Sequence, residues 1–491
     1  MKVLRKIENS RTYWFLFITS VLFFFLRLPS LFEPYWYGDE GIYQVLGLAM
    51  NRGLLLYRDI WDNKPPLLYF VYSLFGSDQF WVRLFSLGVG LLTVISFYFL
   101  AKKLLQKEKI VWISTFVFAV LFGLPLLEGN IANAENFMLL PITLGGILIL
   151  NSFESKRRYL TLFFSGLLLS IAFLFKIVAI FDFGALLVFL LLADKNFTFR
   201  NLLKKETLFL EIEKVFAFAL GFILPILSVA LVFFLQGAIA YFVKAVLFSN
   251  VGYVGYGNKL IIPQGFLILK LTLLAAFCLF IYLRKKALAP QVIFIFLWFA
   301  FSLFNAFFSQ RPYTHYLLTL LPSFCLVIGL FLYDKKLQKF SLLVLVVTVI
   351  LVIKNFWFFT RFPSYYVNYV SFITNQKSVS SYQAFFDRST PLDYEIASYI
   401  NMHNNANDSI FIWGNNAQVY KLTNNIPPGK YAAAYHITSY PDGISDTKKG
   451  ILTKKPRTIV IMPNVGPIPF SLFGYREIIS IENIQIYERI F

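Results

Sequence analysis

The sequence predicts a polytopic α-helical membrane protein that ends in a small α/β domain. Three observations predict it. Apolar runs of bilayer length recur along the first three-quarters of the chain, basic residues cluster in alternate gaps between them, and the last stretch turns polar and Asn-rich. Composition agrees: 58% of the 491 residues are hydrophobic and 14% charged, with a mean hydropathy of +0.65. Soluble domains sit near half apolar and a quarter charged, so lipid is the solvent this balance fits.

A bilayer core is crossed by about twenty apolar residues in helix. Candidate spans fall near 12–28, 82–101, 110–127, 136–153, 159–175, 177–193, 215–235, 264–283, 290–308, 315–333 and 340–358, about eleven in all. The fifth and sixth are short and divided by little more than Lys176. The first follows a basic tail, Met1–Arg11, but no small-x-small cleavage site comes after it, so a retained span is expected rather than a signal peptide.

The net charge of +19 would suggest nucleic acid if the basic residues formed one patch. They fall instead between the spans. With the N-terminus inside, the cytoplasmic segments hold about 22 Lys and Arg in roughly 56 residues, against about 7 in roughly 95 on the other side. The expected topology is therefore N-terminus cytoplasmic and C-terminus outside, and the absence of extra luminal modules makes a bacterial plasma membrane the expected location. Cys278 and Cys325 both lie in apolar segments, without the spacing of a metal site or disulfide framework.

Two regions outside the bilayer are large. In the first external loop, residues 29–80, the stretches Glu40–Asn51 and Pro65–Leu74 read as helices at the membrane interface. The division expected is a membrane domain over 1–358 and an extracytoplasmic α/β domain over 359–491. In the latter, strands are predicted at Ser409–Trp413, Arg457–Met462 and Glu477–Tyr487, and helices at Leu392–Met402 and Asn416–Thr423.

The polar chemistry gathers at span ends. Asp39 and Glu40 stand side by side, about 100° apart on a helix, so one carboxylate would meet a substrate while the other orients a basic partner such as Arg58. The local pattern fits equally well a helix cap at Asp39. Lys64 precedes Pro65-Pro66 and a helix start, a combination that makes either an anion site or a snorkelling lysine. Arg311-Pro312-Tyr313-Thr314-His315 repeats the device. Lys176 interrupts an apolar stretch and calls for a phosphate or carboxylate partner. Glu135 opens the fourth span, as a dipole-satisfying carboxylate or a catalytic one.

The run from Gly38 to Tyr69 resembles the first external loop of the protein O-mannosyltransferase and aminoarabinose transferase superfamily, glycosyltransferases of the GT-C fold often grouped as glycosyltransferase family 39. The pieces are Asp39-Glu40, Leu56-Tyr57-Arg58-Asp59 and Trp61-Asp62-Asn63-Lys64-Pro65-Pro66-Leu67. Ala134-Glu135-Asn136-Phe137, Phe175-Lys176 and His315-Tyr316-Leu317-Leu318 follow in order, so the resemblance spans about the first 335 residues. It implies a transferase with a polyprenyl-phosphate sugar as donor and a protein, glycolipid or envelope polymer as acceptor. The catalytic acid would fall on Asp39, with Glu40 beside it and Glu135 next in line. Donor-phosphate contacts would fall among Arg58, Lys64, Lys176, Arg311 and His315. A monophosphate leaving group held by cations demands no cofactor, and metal-independent chemistry is expected. The competing reading is a transporter or flippase of a lipid-linked sugar, for which repeated halves and midplane polar residues would be the signature.

Overall fold

The computed structural model of the protein describes residues 2–194, 197–198, 201, 204–250, 266–309, 311–405, 407–463 and 465–490. By their internal contacts these separate into two compact units. The first comprises Met1–Leu28, Phe85–Val232 and Asn250–Phe362; the second comprises Pro29–Leu84, Phe233–Ser249 and Pro363–Phe491.

The first unit is helical. Among the described residues of the chain, nine helices are long and apolar enough to cross a membrane. Every one of the eleven predicted runs is helix, but two are short. Glu108–Gly123 has 16 residues, and Ile180–Leu192 has 13 preceded by the 3-10 turn Ile177–Ala179. The break between Arg158–Phe175 and that turn falls on Lys176, whose extended backbone (φ −156°, ψ 130°) ends one helix before the next begins. Acids lie inside this bundle, Asp182 among them. Asp182 accepts a hydrogen bond from the Trp298 indole at 2.8 Å, a partner that a polar group in an apolar setting requires.

The second unit joins the loop that follows the first helix to the C-terminal region. Helix α1 (Gly38–Asn51) buries Ile42, Tyr43, Val45, Leu46 and Ala49 completely or nearly so. Burying side chains of this size contributes about 1.5–3 kcal/mol each. Gly41 lies so close to the backbone of Gln418 that an added Cβ would stand 2.7 Å from its nitrogen, so a glycine is what lets the two segments meet. Helix α2 (Pro66–Leu74) starts where Pro66 supplies a preset φ and Pro65 stays extended. The apolar residues that suggested an interfacial position for α1 are buried in protein, whereas α2 leaves Phe70 and Leu74 exposed.

The C-terminal sheet has four strands, β1 (Ile410–Trp413), β2 (Thr458–Ile461), β3 (Tyr475–Ile481) and β4 (Ile484–Arg489), in the order β1-β2-β4-β3. The β1–β2 pair is parallel and the rest antiparallel. The stretch predicted as one strand over Glu477–Tyr487 is therefore a hairpin. Its turn residues Glu482 and Asn483 have φ of 44° and 69°, the left-handed pair that a two-residue hairpin loop needs. Apolar residues on both sides of the turn hid it from pattern reading. Helix α3 (Thr390–His403) matches the expected Leu392–Met402, and the short helix α4 (Gln418–Leu422) lies within Asn416–Thr423.

Candidate functional site

Asp39 is the second residue of α1, and the helix begins at Gly38 with Tyr37 as its cap and no side-chain capping bond. The capping reading of Asp39 therefore does not hold. Its carboxylate accepts a hydrogen bond from the Tyr43 hydroxyl at 3.0 Å, one turn along the helix, and remains 35% exposed. Lys64 lies between two carboxylates, 3.7 Å from Asp39 and 3.5 Å from Asp62. Both separations exceed a hydrogen bond, and the Lys64 ammonium also sits 4.8 Å over the Tyr43 ring. One tyrosine thus orients acid and base together.

The lysine is held by its own backbone. Its N–H meets the Tyr69 hydroxyl at 3.1 Å, and its carbonyl accepts from the Tyr57 hydroxyl at 2.7 Å. Tyr69 in turn donates to Asp62 at 2.7 Å. Burial, and then the Asp62 charge, push the Tyr57 and Tyr69 hydroxyls well above their ordinary pKa, so both stay protonated donors. The Pro65–Pro66 start of α2 places a helix N-terminus directly after Lys64.

Glu40, one residue from Asp39, faces the other way. Only 1% of its side chain is exposed, and it pairs with Arg83, whose guanidinium is fully buried. Arg83 also contacts Glu33 at 2.8 Å and the Ser30 carbonyl at 2.7 Å. Tyr365 donates to the other Glu33 oxygen at 2.6 Å. The partner expected for Glu40 was Arg58. That residue instead turns to its neighbour Asp59 at 2.7 Å on an exposed edge, and this hydrogen bond holds the Asp59 carboxyl below its usual range.

The helical unit gathers its own polar centre. Lys176 is paired with Glu135 and lies 4.3 Å over the Tyr316 ring. Glu135 stands in the first turn of Ala134–Ser152, and carboxylate is the partner that Lys176 takes. His315 sits in the 3-10 turn Thr314–Tyr316, ahead of Leu317–Tyr333. Its Nδ1 lies 2.9 Å from Glu128, and Thr314 donates to the same carboxylate at 2.7 Å. Glu128 owes its placement to a left-handed backbone (φ 57°, ψ 27°) that closes the turn after Pro125–Leu127.

Residues 63–227, about a third of the chain, match the family described as dolichyl-phosphate-mannose-protein mannosyltransferase. The whole fold is similar to ArnT from Cupriavidus metallidurans bound to undecaprenyl phosphate. The TM-score is 0.53 at 13% identity, over 98% of each chain. The chain shares the fold of ArnT, and over residues 63–227 it matches the mannosyltransferase family.

The apo form of the same ArnT gives the same TM-score, 0.53, at 12% identity over 98% of each chain. AglB, the archaeal oligosaccharyltransferase from Archaeoglobus fulgidus, has a TM-score of 0.48 at 10% identity, over 92% of this chain and 69% of its own. No curated protein matches in sequence.

Within the chain, the sequence motifs fall into two groups. Asp39 and Lys64 come together in one unit, and Glu135, Lys176 and His315 come within reach of one another in the other. Arg311 lies in the extended segment ahead of His315. Three participants were missed as site residues. Asp62 stands out in the sequence only as part of a motif, Glu128 lies at a turn that the pattern leaves unmarked, and His436, 3.9 Å from Asp62, comes from the generic-looking C-terminal region. For Asp62 the adjacent Lys64 was a usable signal. For His436 there was none. Among the described residues, no group of three or more His, Cys, Asp and Glu side chains is placed to hold a metal ion.

Proposed function

We propose that this protein is a GT-C glycosyltransferase that transfers a sugar from a polyprenyl-phosphate donor to an acceptor hydroxyl, with Asp39 as the base. One observation carries the reading. Asp39 is a partly exposed carboxylate oriented by Tyr43 and 3.7 Å from a cation, while its neighbour Glu40 is sealed in the protein. Geometry of this kind suits a group that must meet a substrate.

In this mechanism, Asp39 takes the proton of the acceptor hydroxyl as that oxygen attacks the anomeric carbon. The bond from the anomeric carbon to the phosphate oxygen breaks, and polyprenyl phosphate leaves with the electron pair. Lys64 and the N-terminus of α2 offset the charge that develops on the leaving phosphate. Asp62 and Tyr43 hold Lys64 in place until the donor arrives. Glu40 takes a positioning part, locking α1 through Arg83.

We propose Arg58, Arg311, His315 and Lys176 as further phosphate contacts. Lys176 would first have to exchange Glu135 for phosphate, so Glu135 holds that lysine in reserve. The distribution of Lys and Arg supports a cytoplasmic N-terminus and an extracytoplasmic acceptor, and we propose a bacterial plasma membrane as the location.

The test is turnover by the purified chain in liposomes, offered a panel of polyprenyl-phosphate hexoses and pentoses with hydroxyl acceptors. Transfer of one sugar is expected. Labelled donor that crosses the bilayer without transfer would replace this reading with the flippase reading.

A further inference from the structure

His436 is a buried imidazole with a nitrogen to spare. It lies on the short helix Ala434–Ser439 and is 5% exposed. Four aromatic rings surround it: Trp61 edge-on at 5.3 Å, Tyr435 at 4.1 Å, Tyr440 at 6.0 Å and Tyr431 at 6.4 Å. Trp61 is the residue before Asp62, and its backbone N–H is tied to the Lys430 carbonyl at 2.8 Å. The loop and the C-terminal region are therefore in register at this point.

Nε2 of His436 is 3.9 Å from Asp62 Oδ1, beyond hydrogen-bond length, and Nδ1 is buried with no hydrogen-bond partner among the described residues. A buried polar atom left unsatisfied is costly, and the native state keeps one only for a reason. Packing alone does not supply it, because phenylalanine would fill the same aromatic surroundings without the penalty. Burial lowers the pKa to about 4 despite Asp62 nearby, so the ring is neutral at physiological pH and has one nitrogen lone pair to offer.

We propose that His436 binds a substrate hydroxyl beside Asp62 and Lys64, its Nε2–H turned to Asp62 and its Nδ1 accepting from that hydroxyl. This rests on the transferase reading above and extends it, since it gives the C-terminal region a residue in substrate recognition. The hydroxyl belongs either to the donor sugar or to the acceptor. Both present the same chemistry, and the experiment separates them.

The chain has three histidines, His315, His403 and His436, so ¹⁵N-histidine labelling of the full chain in lipid nanodiscs gives three assignable imidazoles. Undecaprenyl phosphate alone, the same lipid carrying each sugar of the panel, and the small acceptor methyl mannoside are added in turn. An upfield shift of the His436 Nδ1 signal with sugar-bearing lipid, but not with bare lipid, supports the proposal and assigns the hydroxyl to the donor. A shift only when methyl mannoside follows supports it and assigns the hydroxyl to the acceptor. An Nδ1 signal unmoved while donor is bound and turned over overturns it.

Two variants guard against a merely structural effect. His436→Phe keeps a ring and loses both nitrogens, while His436→Asn keeps an amide near the Nδ1 position. We expect His436→Phe to lose about tenfold in kcat/KM, with part of it recovered in His436→Asn. Wild-type turnover in His436→Phe overturns the proposal alone. A wild-type protein that turns over no donor overturns the transferase reading and this proposal with it.

Discussion

Asp39 and Glu40 are neighbours in one helix, yet they belong to two kinds of polar cluster. Around Glu40 the cluster is closed. Arg83 is fully buried, holds Glu33 at 2.8 Å and Glu40 as a direct ion pair, and hydrogen-bonds the Ser30 carbonyl. Around Asp39 the cluster is open. Lys64 stands 3.7 Å and 3.5 Å from its two carboxylates, and Asp39 is 35% exposed. A closed cluster spends its charge on holding the fold, whereas an open one still has charge to offer a ligand. One residue step on a helix turns a side chain by about 100°, enough to send the two acids to these different ends.

The largest expected effect breaks the closed cluster. Arg83→Met leaves two buried carboxylates without their cation, which typically costs about 3–5 kcal/mol. Thermal unfolding in nanodiscs should show a large drop in melting temperature, or the chain should fail to accumulate. An unchanged melting point would mean that the closed cluster does not hold the fold.

Breaking the open cluster should leave the fold in place. Lys64→Met removes the cation assigned to the leaving phosphate, and donor affinity should fall about 10- to 100-fold, the worth of a charge-assisted hydrogen bond. Equilibrium binding of labelled polyprenyl-phosphate sugar reads this directly. Affinity equal to wild type would move the phosphate role to the helical unit, with Lys176 first.

The third prediction concerns pH. His436 has a folded pKa near 4 against an ordinary 6.5. The folded state therefore prefers the neutral ring. Its stability contribution is whole above pH 6.5 and is lost as pH falls toward 4, where the unfolded chain takes up a proton that the folded one refuses. The loss attached to this group is at most about 3 kcal/mol. The melting temperature of wild type should fall relative to that of His436→Phe as pH drops from 7 to 4. Parallel curves would show that His436 is not the group responsible. The smallest effect sharpens the contrast from outside: Arg58→Ala, at an exposed pair with Asp59, should leave the melting temperature unchanged.

What could be read in the sequence follows from how local each signal is. The spans were legible because a bilayer imposes length and apolarity on every helix, and all eleven runs are helical in the structure. The two short ones show the limit of that rule, since apolarity marks a buried helix as readily as a spanning one. Asp39, Lys64 and Lys176 were legible because charge in or beside apolar sequence is expensive and needs a reason. Their partners were less so. Arg83 looks like an ordinary span-start arginine until Glu33 and Glu40 are folded onto it. His436 is brought to Asp62 only by the tertiary fold, and no local periodicity encodes that meeting.

The central claim is that Asp39 meets the substrate while Glu40 meets the protein, and one paired measurement tests it most directly. Transfer rate and melting temperature are recorded for Asp39→Asn and Glu40→Gln in the same liposomes, with donor binding measured alongside. The account predicts that Asp39→Asn loses at least about 100-fold in rate, as for a missing general base, with folding and donor binding intact. It predicts that Glu40→Gln loses mainly stability, about 1–3 kcal/mol. Full activity in Asp39→Asn, or a folded but inactive Glu40→Gln, would contradict it.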